Sequence, residues 1–323
     1  MKKEPSKISN ALNAIGFGCA SAVAHALAWL PLWCLYGFAD IIFALMFYVV
    51  RYRRKMVRKN LTLCFKDKSP EYIRGIERQY YRNFADYIIE TVKLLHISDK
   101  EIERRMRFNN MEVVHNLIRQ GRSMVCYYSH SFNWEWGPSI TLHCKDDERE
   151  RATAFCQIYR PLRNKRFDDL MLKIRSRFGS VSIPKTLTLR KLIEYRRDGV
   201  LTVTGFMSDQ KPSHGDIVHV VEFLNRPTAV ITGTETLARR LGMAAVFWDT
   251  RKIKRGHYEI DIHLMAEDAS KTEPFELTDM YFRELEKSIR RTPAIWLWSH
   301  NRWKNSPATM PAPTDESAKN VKS

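Results

Sequence analysis

The sequence predicts an α/β fold: a mixed, mostly parallel central sheet flanked by helices, preceded by an N-terminal membrane-anchoring helical segment. Three observations lead there. Short apolar runs alternate with amphipathic helical patterns from about residue 124 onward. A long uncharged stretch opens the chain, and a dense basic block closes that stretch.

The opening stretch comes first. Ile8 to Ala39 contains no Lys, Arg, Asp or Glu; Asp40 interrupts it, and Ile41 to Val50 is again uncharged. About 20 apolar residues cross a bilayer, so the run is long enough. Pro31 is expected to break it, giving either one span followed by an interfacial helix or two shorter embedded helices. RYRRKMVRK follows at 51–59, with six basic residues and no acid. Such a block belongs on the cytoplasmic face of a membrane and attracts anionic headgroups. Lys2, Lys3 and Lys7 before the apolar run resemble a secretory leader, but the run continues too far past any cleavage position. A buried core helix would not end in so abrupt a basic block.

The remaining elements follow in order. Ser69-Pro70-Glu71 has the form of a helix start. Ile73, Ile76, Tyr80, Phe84, Tyr87, Ile88, Val92 and Leu95 then recur at three- and four-residue spacing, the mark of a long amphipathic helix. Shorter helices are expected before Gln120-Gly121. Met124 to Tyr128 is a short apolar run of the kind a buried strand shows. Further strands are expected at Thr153–Tyr159, Val200–Phe206, Ile217–Phe223, Ala244–Asp249 and Tyr258–Met265. Helices are expected at 163–178, 186–198, Ala229–Leu241 and Thr278–Arg291, the last capped by Thr278. Pro, Ser, Lys and Asn dominate 305–323, which is expected to be a disordered tail. The organisation is therefore an anchor with its basic segment (1–60), a catalytic domain (61–304) and the tail (305–323).

Composition narrows the function. The net charge is +17 over 323 residues. Residues 1–60 hold nine Lys/Arg against two acids, and residues 158–197 hold twelve against three. Charge clustered in this way implies an anionic partner: nucleic acid, anionic lipid or an acidic carrier protein. Nucleic acid is disfavoured, because the first cluster abuts an apolar run and no zinc-finger or RNA-binding signature is present. The six cysteines form no C-x-x-C pair, so a reducing compartment is expected and a disulfide framework is not. His214, His219, His257 and His300 show no metal-ligand spacing, so neither a metal nor another cofactor is expected.

The segment that carries chemistry is Ser129-His130-Ser131-Phe132-Asn133-Trp134-Glu135-Trp136, directly after the first buried strand. On one continuous helix His130 and Glu135 would point about 140° apart. If His130 ends a strand and Glu135 begins a helix, the carboxylate can fold back onto one ring nitrogen and leave the other free to take a proton. No G-x-S-x-G elbow is present, and no cysteine adjoins this histidine. The attacking atom is therefore expected to come from a substrate, most simply a hydroxyl, as in transfer from an acyl thioester. Water activated by His130 would instead make the protein a lipid-ester hydrolase.

Here the sequence resembles the lipid A biosynthesis acyltransferases, lauroyl- and myristoyl-transferring members of the lysophospholipid acyltransferase superfamily. The matching blocks run in family order over roughly 30–304. Tyr52-Arg53-Arg54-Lys55 with Asn60-Leu61 resembles the basic segment after the anchor. His130 with Asn133-Trp134-Glu135 resembles the H-x-x-x-x-[DE] block. Tyr159-Arg160-Pro161-Leu162 with Asn164 resembles the next, followed by a helix carrying Arg175 and Arg177. Asp209-Gln210, Phe223-Leu224-Asn225-Arg226-Pro227 and Trp298-Ser299-His300-Asn301-Arg302-Trp303-Lys304 resemble the remaining blocks. Phe132 and Asn225 stand where the family often has Gly.

The resemblance implies a glycerolphosphate-acyltransferase-like fold, with His130 as general base and Glu135 as its partner. It implies that Arg160 and Asp209, with Asn133 and Tyr159 beside them, help to bind substrate and shape the site. Asp209 has a simple alternative as a turn residue before Lys211-Pro212. Acyl carrier protein or acyl-CoA is the implied donor, and a phosphorylated glucosamine lipid is the implied acceptor, met at the cytoplasmic face of the inner membrane. The superfamily core would also suit another glycolipid, a phospholipid or an aminolipid. Trp296, Trp298 and Trp303 fit either the headgroup level or a core.

Overall fold

The computed structural model describes residues 7–308, with side chains described from Gly16 onward, His214 apart. Lys2 and Lys3 lie outside the described residues, as do residues 309–323 of the predicted tail. Of the tail's first residues, Asn305 donates to the Pro212 carbonyl and Ser306 Oγ accepts from the Ala229 amide.

Pro31 divides the apolar run, as expected. Helix α1 spans Lys7–Trp29 and α2 spans Leu32–Ala44, continuing as a wider turn over Leu45–Val49. Leu32–Val49 is long and apolar enough to cross a membrane, and only 28% of it is buried. One face of α2 (Leu35, Ala39, Phe43) is buried, while Trp33, Phe38 and Ile41 are exposed. The basic block forms α3, Arg54–Cys64.

The long helix expected after Ser69 is α4, Pro70–Lys93. Ser69 Oγ accepts from the Tyr72 amide at 3.2 Å, a cap that contributes about 1 kcal/mol. Its buried face packs against α1, α2 and α3 and against the short turn Pro293–Ile295.

Then come α5 (Asp99–Arg105), β1 (Met106–Asn109), α6 (Met111–Arg119), β2 (Met124–Tyr128), α7 (Glu148–Ala152), β3 (Ala154–Tyr159), α8 (Lys165–Arg175), β4 (Val181–Pro184), α9 (Thr188–Arg197) and β5 (Thr202–Met207). The chain closes with β6 (Val220–Glu222), β7 (Pro227–Ala229), α10 (Gly233–Leu241), β8 (Ala244–Lys254), β9 (His257–Ala266) and α11 (Glu276–Arg291). The main sheet has the order β1-β9-β8-β2-β5-β3-β4. Strands β8, β2, β5, β3 and β4 run parallel, and β9 is antiparallel to β8. The predicted fold class is therefore the observed one. Every residue of β2 is buried, which is why this central strand reads as an unbroken apolar run rather than an alternating one.

Three expectations need correction. Ile217–Phe223 is not a strand of the main sheet; only Val220–Glu222 is extended, and it pairs with β7 in a separate hairpin. Leu224 and Asn225 form the two-residue turn of that hairpin, both with φ near +55° (53° and 59°). This turn favours Gly and Asn, so Asn225 fits where the family often has Gly. The helix expected from Ala229 starts at Gly233, because β7 and the Val230 amide are first used against β6 and His219. Thr278 does not cap α11, which begins at Glu276; its amide and hydroxyl both donate to buried Glu235. Strands β1 and β4 were not foreseen, since four-residue edge strands are too short to show a period.

Candidate active site

The parallel register of β2 and β5 assembles the site. Tyr128 pairs with Met207, so two residues further on His130 and Asp209 come together at the carboxyl edge of the sheet, where open α/β sheets bind ligands. Asp209 Oδ1 lies 2.6 Å from His130 Nδ1, and Oδ2 accepts from the His130 amide at 2.9 Å. Trp296 Nε1 donates to Oδ2 at 2.8 Å. Asp209 is almost wholly buried, whereas the His130 side chain keeps 15% of its surface exposed. Burial alone would push the Asp209 carboxyl up; the adjoining imidazole and the accepted hydrogen bonds outweigh it, and the net direction is down.

A carboxylate on Nδ1 fixes the tautomer: Nδ1 carries the proton and Nε2 is the acceptor. Gln210 Nε2 donates to that nitrogen at 3.0 Å, marking the position from which a substrate hydroxyl would donate. This geometry leaves Nε2 able to accept a proton while the Asp209 carboxylate holds the ring.

Glu135 is not the residue on the imidazole. It opens the short helix Trp134–His143 and points away toward α8. There Arg175 grips it through two bonds, Nε to Oε2 at 2.8 Å and Nη2 to Oε1 at 2.6 Å, and Trp134 Nε1 adds a third at 3.2 Å. Among the described residues no hydrogen bond joins His130 to Glu135. The expected pairing gives way because the strand end at Asp209 reaches the ring first, and a buried Glu135 is satisfied by its guanidinium. Burial would lower Arg175, but the Glu135 carboxylate more than reverses this and raises it.

The loop between them is set by aromatic packing. Phe132 is fully buried and stacks against Phe84, Tyr87 and Tyr80 of α4 at centroid distances of 5.7, 5.2 and 5.8 Å. A large ring where the family often has Gly is thus accommodated by the helix below it. Ser131 bridges to Trp296, and the Phe132 amide donates to the Ile295 carbonyl. The three late tryptophans are core: Trp296, Trp298 and Trp303 are all buried.

The other predicted residues separate. Tyr159 ends β3 on the same sheet edge, two strands from His130, and is half-buried. Arg160 beside it is exposed, with no hydrogen bond or ion pair among the described residues. Asn133 is fully buried and turned inward onto Glu90 of α4, at 3.0 Å. The closing motif lies against the site. Asn60 donates to the Trp298 and His300 carbonyls, so the first and last family-like blocks meet. Arg302 is buried with no ion pair among the described residues, donating to the Ala229 carbonyl, and burial lowers it to about 10.

All six cysteines are free. Away from this site, Asp249, Asp261 and His263 bring ligand atoms within 4.8 Å of one another. Arg291 and Arg251 already neutralise the two carboxylates.

Sequence reasoning missed four contributors: Trp296, Gln210 as the donor to Nε2, Arg175 as the partner of Glu135, and Glu90. For Glu90 a signal existed. It falls seven residues after Asn83, within the inward stripe of α4, and an acid there is seldom buried without a task.

A family model described as bacterial lipid A biosynthesis acyltransferase matches residues 5–305. A lipid A biosynthesis lauroyltransferase of Escherichia coli (strain K12) is 25% identical over 262 residues, covering 80% of this chain and 82% of that protein. A lipid A biosynthesis palmitoleoyltransferase of the same organism is 22% identical over 256 residues, with 79% and 80% covered. A lipid A biosynthesis acyltransferase of Shigella flexneri matches to the same extent.

Proposed function

This chain belongs to the bacterial lipid A biosynthesis acyltransferase family, and on that premise we propose that it moves a fatty acyl chain from a thioester donor to a hydroxyl of a lipid A precursor. Acyl carrier protein, or acyl-CoA, is the donor. Both are anionic and suit the basic stretch 158–197. The acceptor is a phosphorylated glycolipid, met where α2 seats the protein on the cytoplasmic face of the inner membrane.

The observation that carries this is the His130–Asp209 pair, with Nε2 turned to the open edge of the sheet. In the reaction His130 Nε2 takes the proton of the acceptor hydroxyl as its oxygen attacks the thioester carbonyl carbon. Asp209 holds the ring and stabilises the imidazolium. The tetrahedral intermediate collapses with loss of the thiolate, which recovers the proton from His130. No protein nucleophile is needed, in keeping with the absence of Ser or Cys elbow chemistry at this strand end. Glu135 and Arg175 fix the far end of the loop, and Tyr159 and Arg160 stand two strands away on the same sheet edge.

The experiment is a transfer assay. Membranes carrying the wild-type chain or His130→Ala are given labelled lipid A precursor and a panel of acyl-carrier-protein and acyl-CoA donors, and products are read by mass spectrometry. One added acyl chain with wild type and none with the variant is expected. Product with a phospholipid or aminolipid acceptor, and none with the lipid A precursor, would overturn the acceptor assignment; free fatty acid alone would make the protein a hydrolase.

A further inference from the structure

Glu90 is a fully buried carboxylate in the last turn of α4, and three side chains from three different elements converge on it. Tyr36 of α2 donates its hydroxyl to Oε1 at 3.0 Å. Asn133, between His130 and Glu135, donates to Oε2 at 3.0 Å, and Tyr258 of β9 donates there at 2.8 Å. The Glu90 carbonyl accepts a fourth bond, from Trp136 Nε1 at 3.3 Å. The catalytic loop is therefore held to Glu90 on both sides of Glu135, and the apolar N-terminal helix is held to the same carboxylate.

The seat of Tyr36 is built for close approach. Gly256 has φ +69°, and a Cβ there would fall 2.0 Å from the Tyr36 hydroxyl, which no side chain could tolerate. Arg255 lies over the Tyr36 ring at 4.4 Å and bridges Asp40 of α2 to Asp86 of α4. Of the cations beside this stretch of α4, Lys252 bonds Asn83 and Asp86 and Arg255 bonds Asp86; among the described residues neither bonds Glu90. A helix contact needing only adhesion would be served by Leu at this position, since burying a carboxylate is costly unless its bonds are all made. What a three-way acceptor adds is register: α2, β9 and the loop can each occupy one place.

We propose that Glu90 is a positioning residue that ties the seating of α2 to the geometry of the catalytic loop, so that displacing α2 from its groove is felt at His130. The transfer readout rests on the function proposed above; a second readout does not.

The test uses the full chain in phosphatidylethanolamine/phosphatidylglycerol vesicles, with Tyr36→Phe, Asn133→Ala, Glu90→Gln and Glu90→Leu. Gln keeps an acceptor at the Oε2 position, and its amide can donate to Tyr36. Hydrogen exchange of residues 131–136 is expected to rise about tenfold in Tyr36→Phe, the scale of one lost buried hydrogen bond, with β3 and β5 unchanged. kcat is expected to fall by a similar factor with KM steady, and Glu90→Gln to stay near wild type. Because both act through one carboxylate, Tyr36→Phe and Asn133→Ala together should cost little more than either alone. Unaltered loop exchange in Tyr36→Phe, or effects on kcat that multiply, would overturn the proposal. If Glu90→Leu does not fold, the volume-preserving Tyr36→Phe and Glu90→Gln still decide it. Absence of transfer by the wild type would count against the reaction, while the exchange result would still judge the coupling.

Discussion

Asp209 meets His130 twice, once at the ring and once at the backbone, so the same carboxylate fixes both where the imidazole sits and which nitrogen carries its proton. Asp209→Asn should therefore leave a folded protein whose kcat is lower by about 10²- to 10⁴-fold, with KM little changed. His130→Ala should remove transfer altogether. Wild-type rates in Asp209→Asn, measured with the preferred donor, would break the assignment of the pair.

The Glu135–Arg175 pair makes a different prediction. Its Glu135 side chain keeps 4% of its surface and Arg175 20%. Removing one member of a buried pair leaves a stranded charge, and Glu135→Gln should lose about 3 kcal/mol in urea unfolding. Replacing both, as Glu135→Leu with Arg175→Met, should recover most of that. The double variant should also transfer faster than His130→Ala. A stable but inactive double variant would instead give Glu135 a part in the chemistry.

Acid should expose the strain on His300. Burial, aided by Arg302, His130 and Lys211 and opposed by Asp209, lowers it from 6.5 to about 4. The fold therefore favours neutral His300. Its contribution is complete above pH 6.5 and is lost as the pH falls from 6.5 to 4, by at most about 3 kcal/mol given its partial exposure. Stability curves for wild type and His300→Asn should diverge across this window and run parallel above it. Equal acid slopes would show that His300 is protonated without penalty.

The outward face of α2 supplies a fourth prediction. Trp33, Ile41 and Val49 are 77%, 59% and 70% exposed. Each contributes roughly 1.5–3 kcal/mol if buried in an apolar phase. Changing all three to Ser should lower vesicle partition by at least about a hundredfold in a flotation assay, without altering the thermal midpoint in detergent. Undiminished flotation would move the membrane contact elsewhere.

The parts of the molecule legible in the sequence are those where one local rule dominates. The β2 run, the capped α4 and the break at Pro31 each follow from burial, capping or a fixed dihedral, and each is where it was expected. The pairing at the active site was not legible for a physical reason. Glu135 is five residues from His130 and Asp209 is 79 residues away, and proximity in the chain favours the former. The deciding quantity is strand register, which fixes which residue stands across the sheet edge. A partial clue was present: β2 and β5 are each followed by a Ser and then the paired side chain, Ser129-His130 and Ser208-Asp209. Parallel neighbours with matching ends bring such residues together. The hairpin at β6–β7 escaped for the opposite reason, because a two-residue turn reshaped a run that was apolar enough for the main sheet.

The indole of Trp296 completes the bonding of Asp209 from the stretch that follows α11, while Ser131 and Phe132 bind the same stretch through the backbone. During synthesis His130 and Asp209 leave the ribosome long before that indole does. The nascent protein therefore carries its apolar helices and both His130 and Asp209 before the indole that completes the bonding of Asp209. The pair gains its last partner only when the segment after α11 folds back, after the amino-terminal helices have been made.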